Sequence, residues 1–122
     1  MSTPKWHVGP SDAMREMDRS FVKCGDVEVC VFRSRGGALF AIENVCPHQG
    51  GPVCEGRLSG TLVWDDENDR IEWTLDGAIL TCPWHGVEFD VSSGAALGGI
   101  DMRLRRRQIT DDGRDLWVGS RI

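Results

Sequence analysis

Cys46-Pro47-His48-Gln49-Gly50 and Cys82-Pro83-Trp84-His85-Gly86 are the stretches on which the reading of this 122-residue chain turns. Each offers one thiolate and one imidazole within two or three residues, set between a proline and a glycine. The order is interleaved, Cys-x-His then Cys-x-x-His, unlike the Cys-Cys then His-His order of common zinc fingers. It suits a centre of two irons in which two histidines replace two cysteines on one metal, so that each loop sends a ligand to each iron. Proline and glycine let such loops bend tightly and turn backbone N–H groups toward sulfur. A mononuclear zinc held by the same four residues is the competing reading, separated only by metal content.

The sequence around both loops is punctuated for β-structure, with short apolar runs between frequent glycines. From Asp26 to Phe32 the residues alternate, Val27, Val29 and Val31 on one face and Glu28, Cys30 and Phe32 on the other. Ala38 to Ile42 forms a second strand, joined to the first through Arg35-Gly36-Gly37 and leading into Cys46. Between the loops, Thr61 to Trp64 and Arg70 to Thr74 form a hairpin with the acidic tip Asp65 to Asp69. Trp64 and Trp73 are placed as a cross-strand pair. Ala78 to Thr81 is a short strand entering Cys82, and Val87 to Asp90 leaves the second loop. The tail supplies Met102 to Ile109 and Leu116 to Gly119, and the one helical candidate is Asp12 to Met17, capped by Ser11 or Asp12.

The length allows one domain, residues 1–122, with no linker or repeat to divide it. A formal charge of -5 with ordinary composition disfavours disorder and nucleic-acid binding. No run approaches membrane-spanning length and the first residues lack the apolar core of a secretory signal, so the expected location is cytoplasmic. In a reducing compartment Cys24, Cys30 and Cys54 are expected to remain thiols unless something specific pairs them.

The two loops, with Phe89-Asp90-Val91-Ser92-Ser93-Gly94 after the second, resemble the Rieske family, and within it the small soluble ferredoxins of bacterial Rieske non-haem iron (aromatic ring-hydroxylating) oxygenase systems. The similarity in layout runs from about Val27 onward. It implies an all-β fold, antiparallel sheets forming a base with a cluster-binding subdomain, about residues 43 to 97, at the tip. It also implies one 2Fe-2S cluster per chain, Cys46 and Cys82 on the inner iron and His48 and His85 on the outer. The stretch from Gln49 to Thr81 is longer than such ferredoxins usually show, and the extra length falls in the Trp64 to Trp73 hairpin.

High-potential members of that family carry a second cysteine in each loop, joined in a disulfide, and Ser and Tyr hydroxyls against the sulfurs. The corresponding positions here are Gly51 and Trp84, then Val87 and Phe89, and the chain has no tyrosine. Without those donors the potential is expected near the negative end of the family range of roughly -150 to +300 mV. That suits electron delivery toward oxygen chemistry.

Three histidines, two of them in the loops, cannot also build the two-histidine, one-carboxylate iron site of an oxygenase. No Gly-x-Gly-x-x-Gly or phosphate loop offers a nucleotide site. The expected role is therefore a carrier with no substrate or catalytic residue of its own, relaying single electrons from a flavin-dependent reductase to a terminal oxygenase. A small accessory subunit, similar to that of assimilatory nitrite reductases, and a zinc-stabilised binding module are the other readings. His7 reads as a surface or structural histidine, Arg103, Arg105, Arg106 and Arg107 as a solvated strand face, and Asp65 to Asp69 as a soluble tip. Trp84 either packs on the cluster pocket or lies beside His85 for a partner.

Overall fold

The computed structural model describes residues 5–47, 50–83 and 86–122. Among the described residues nine strands form two antiparallel sheets: β1 (Trp6–Pro10), β2 (Arg19–Cys24), β3 (Val27–Arg33), β4 (Leu39–Glu43), β5 (Arg57–Asp65), β6 (Arg70–Thr81), β7 (Glu88–Asp90), β8 (Arg106–Asp111) and β9 (Asp115–Arg121). Six build a base in the order β1-β9-β8-β4-β3-β2, whose two ends approach one another, and three build a smaller sheet, β5-β6-β7. The expectation of an all-β architecture holds.

The alternation in β3 serves a purpose that the period alone does not reveal. Val29 and Val31 enter one apolar cluster with Ala41, Leu116 and Val118, inside the base. Cys30 and Phe32 enter a second, with Ile42, Val53, Leu80, Phe89 and the loop cysteines Cys46 and Cys82. Val29 to Phe32 are all buried, so the strand is packed on both faces. The β3–β4 hairpin forms where Gly36 and Gly37 supply positive φ values of 109° and 96°, and Ser34 N–H donates to Ala38 O at 2.8 Å.

Several local expectations change. The helical candidate at Asp12 to Met17 is a single 3-10 turn, Ser11–Ala13, with no side-chain cap, and Met17 has a φ of 69°. A stretch of barely two turns with one buried residue, Met14, has too little to gain from helix. β1 and β2 are strands that carry no clear alternation. The hairpin between the loops is longer than Thr61 to Thr74: β6 runs on through Leu75-Asp76-Gly77-Ala78, which lie opposite Gly60 as an enlarged bulge between Ser59↔Ile79 and Thr61↔Thr74. Its register pairs Trp64 with Ile71 and Trp73 with Leu62, so the tryptophans are diagonal rather than direct partners. Asp66 to Asp69 form the exposed turn. In the tail, β8 begins at Arg106, while Arg103 makes only an isolated bridge to Ala95.

The thiol expectation fails for two of the three remaining cysteines. Cys30 on β3 and Cys54 in a short 3-10 helix, Val53–Glu55, are joined in a disulfide with Cα atoms 6.0 Å apart. Folding brings their Cα atoms into the range a disulfide spans. Cys24 remains a buried thiol, and burial pushes its pKa up.

Candidate metal centre

The first loop leaves β4 and the second leaves β6, and both close in the same way. Cys46 N–H donates to Gly51 O at 2.7 Å and Gly50 N–H donates to Cys46 O at 2.8 Å. In the second loop Cys82 N–H donates to Val87 O at 2.9 Å and Gly86 N–H to Cys82 O at 3.0 Å. The glycine lies four residues after the cysteine in each, with φ of 75° at Gly50 and 70° at Gly86. That left-handed region is where glycine is favoured, which explains the Cys-Pro…Gly frame common to both segments. Within the frame the histidine falls two residues after Cys46 but three after Cys82.

Cys46 and Cys82 are 1% and 2% exposed and share one apolar cluster, and the disulfide uses neither. Pro47, Gly50, Pro83 and Gly86, by contrast, are exposed. The cysteines are thus the floor of the two turns and the proline and glycine their rim. His48, His85 and Trp84 lie outside the described residues. Phe89, fully buried, and Val87 pack into the same cluster, where they present no hydroxyl.

The loops are fixed by what surrounds them. Glu43, the last residue of β4, is 3% exposed and accepts from Arg107 Nε at 2.8 Å and Arg121 Nε at 2.7 Å. Burial alone would push its carboxyl up, but hydrogen bonds and charge from Arg121 and Arg107 outweigh burial and hold it below the usual range. Asn44 crosses the loop: its side chain donates to Glu28 Oε1 at 2.7 Å and accepts from Cys54 N–H at 2.8 Å. Arg19 donates to the carbonyls of Cys54 at 2.6 Å and Gly56 at 2.5 Å. Gly56 in turn lies so close to the Thr81 carbonyl that a Cβ would overlap it, which sets the exit of the first loop against the entrance of the second. After the second loop, Asp90 caps a turn by accepting from Ser92 N–H at 2.9 Å, and Leu104 N–H donates to Gly94 O at 2.8 Å.

The arginine cluster is less solvated than its sequence pattern suggests. Arg107 is held by Glu43 and lies over the Trp6 ring at 5.7 Å, and Arg106 donates to Ser92 O at 2.9 Å. His7 is a surface histidine, with Nε2 3.0 Å from Asp115 Oδ1 and its ring 4.9 Å from that of Trp117. The supports at Arg19, Asn44 and Glu43 and the Cys30–Cys54 link were not singled out from sequence. An asparagine and an acid directly before a metal loop were the available signal for two of them.

Two buried cysteines in one core, on paired turns and outside the disulfide, fit a cluster that takes one thiolate from each loop. Residues 5–103 match the Rieske [2Fe-2S] domain. Among solved structures, the ferredoxin of carbazole 1,9a-dioxygenase from Nocardioides aromaticivorans IC177 is similar at 24% identity, with 98% of this chain and 99% of that one covered and a TM-score of 0.70. A ferredoxin of Sphingomonas yanoikuyae B1 is 21% identical over 98% of this chain and 99% of that one, with a TM-score of 0.64. A chain assigned as the small subunit of an NADH-dependent nitrite reductase from Mycobacterium tuberculosis is 18% identical over 97% and 96%, with a TM-score of 0.67.

Proposed function

Because the chain belongs to the Rieske [2Fe-2S] domain family, we infer that Cys46, His48, Cys82 and His85 hold its 2Fe-2S cluster and that the protein is a one-electron carrier. When bound, the cluster supplies a one-electron couple whose histidine-ligated iron raises the potential above that of all-cysteine centres. The observation that carries the reading is the matched pair of turns, which bury Cys46 and Cys82 at their floor while leaving the loop rims exposed. In sequence His48 and His85 fall between the cysteine and the glycine of each segment, and they are the imidazole donors that a Rieske centre takes on its second iron.

The chain's own residues tune and present the site. Val87 and Phe89 pack apolar groups where hydroxyl donors would favour the reduced state, and Gly51 excludes a disulfide between the loops. A potential near the negative end of roughly -150 to +300 mV follows. The partners consistent with it are a flavin-dependent reductase as donor and a terminal oxygenase as acceptor, with the whole chain acting as one domain in the cytoplasm. No helix of the described residues is long and apolar enough to cross a membrane. Likeness in fold to a nitrite reductase small subunit favours a second reading, an accessory subunit held permanently by a larger enzyme.

The test is the visible absorption and low-temperature electron paramagnetic resonance of protein purified without added metal. A reddish-brown protein with a low-average-g signal after dithionite reduction is expected. A colourless protein with one zinc would overturn it. Copurification with a large subunit in a fixed ratio would select the second reading.

A further inference from the structure

We propose that the Cys30–Cys54 disulfide is a covalent latch that seats the first cluster loop on the base sheet, closed during folding and sealed from reductants afterward. Cys54 ends the loop that begins at Cys46, and each of its polar groups is held: N–H by Asn44, carbonyl by Arg19, sulfur by Cys30. Cys30 sits mid-strand in β3, paired with Phe21 and Ile42 on its two sides. The link therefore fastens the far end of a metal loop to an interior strand of the base. It differs in place from a bridge between the two loops, since only one of its ends belongs to a loop.

Both cysteines are 0% exposed and share their core with Cys46 and Cys82. Closure consumes two thiols that would otherwise stand in the same core as the two ligand thiolates and could exchange with them. The chemistry needs a disulfide oxidant such as glutathione disulfide. The thiolate of one cysteine attacks a sulfur of that oxidant and releases one thiolate, leaving a mixed disulfide. The thiolate of the other cysteine attacks the protein sulfur and releases the second. The pair loses two electrons and two protons, and the oxidant becomes two thiols. Attack requires access to sulfur, which zero exposure denies once β3 and the 3-10 helix have packed. A buried latch is thereby compatible with a reducing compartment.

Thiol counting tests the bond without reference to the cluster. Cells are lysed in N-ethylmaleimide, the protein is denatured in the same reagent and its mass is measured. Of the five cysteines, three adducts are expected, rising to five only when reductant is added in denaturant. Five adducts without reductant would overturn the latch. Iron release to a ferrous chelator tests its role. Cys30→Ala, Cys54→Ala and the double variant are each expected to release iron faster by the same factor, on the order of tenfold or more. Factors that multiply would show independent packing contributions and refute a shared bond. Native protein in millimolar dithiothreitol is expected to release iron at its untreated rate, and acceleration there would refute the seal. Should the variants fail to fold, the adduct count and the dithiothreitol arm still decide.

Discussion

Gly50 and Gly86 occupy the same position in two different loops, each donating its N–H to the carbonyl of the cysteine four residues before it, at 2.8 and 3.0 Å. Their φ values differ by only a few degrees, 75° and 70°. Nothing lies within 4 Å of a Cβ built on either. The requirement for glycine is therefore conformational and not steric.

Gly50→Ala and Gly86→Ala should each lower stability by about 1–2 kcal/mol, the cost of holding a side chain in the left-handed region. Asparagine, which tolerates that region, should cost less at both sites. Thermal midpoints of the three residues at each position check this. Equal loss for alanine and asparagine would point to crowding instead.

At Gly56 the reasoning reverses. Its φ of -73° suits any residue, but a Cβ would collide with the Thr81 backbone just before Cys82. Gly56→Ala should cost about 1–3 kcal/mol or more through overpacking, and it should loosen iron retention because it drives the two loops apart. Gly25→Ala, which meets no atom within 4 Å, supplies the comparison for a glycine remote from the loops. Indistinguishable iron retention in the two variants would refute the close-approach argument.

Glu43 gives the site an acid limit. Its folded pKa lies below the ordinary 4.5 because Arg121 and Arg107 outweigh its burial. A carboxyl depressed in this way stabilises the fold fully above the unfolded value, and that stability is lost as the pH falls through the folded one. Denaturant midpoints measured from neutral pH downward should fall in the wild type below about pH 4.5. Glu43→Gln should be less stable by about 3 kcal/mol at neutral pH, with Arg107 left buried beside a neutral amide. It should also show a flatter acid limb, and parallel curves for the two proteins would remove Glu43 from the account.

On the proposed ligand set, His85→Cys would exchange a neutral ligand for a charged one. Such a variant should hold a cluster with an altered paramagnetic spectrum and a lower potential, since added negative charge disfavours reduction. Cys82→Ser should lose it. An unchanged spectrum for His85→Cys would mean that residue 85 is not a ligand.

Much of this was legible before folding. The β3–β4 hairpin was written in alternation plus Gly36-Gly37, and the loops in the Cys-Pro…Gly frame. β1 and β2 were not legible: Gly9 and Pro10 interrupt the first, where the register also shifts, and Phe21 in the second is 48% exposed. The place of β1 is decided by β9, distant in sequence, and that of β2 by its pairing with the neighbouring β3 rather than by a pattern of its own. The continuous β6 was hidden because Asp76-Gly77 reads as a turn, whereas pairing on either side absorbs it as a bulge. The Cys30–Cys54 link and the Arg19 contacts depend on tertiary neighbours, which no local pattern announces, and the acid at Glu43 is marked only by its place before the first loop.

The two-faced burial of β3 bears on how the cluster tip could be moved to another scaffold. A cut at residues 43 and 97 follows the ends of the loops, yet it leaves behind Cys30 and Phe32, which are the floor of the upper core and one end of the latch. The strand is a party wall, plastered on both sides, and belongs to neither room alone. A graft that carries the tip must carry the wall, together with a replacement for Val29 and Val31 on its far side. Substitutions there should likewise be tolerated in matched sets across the strand more readily than one at a time.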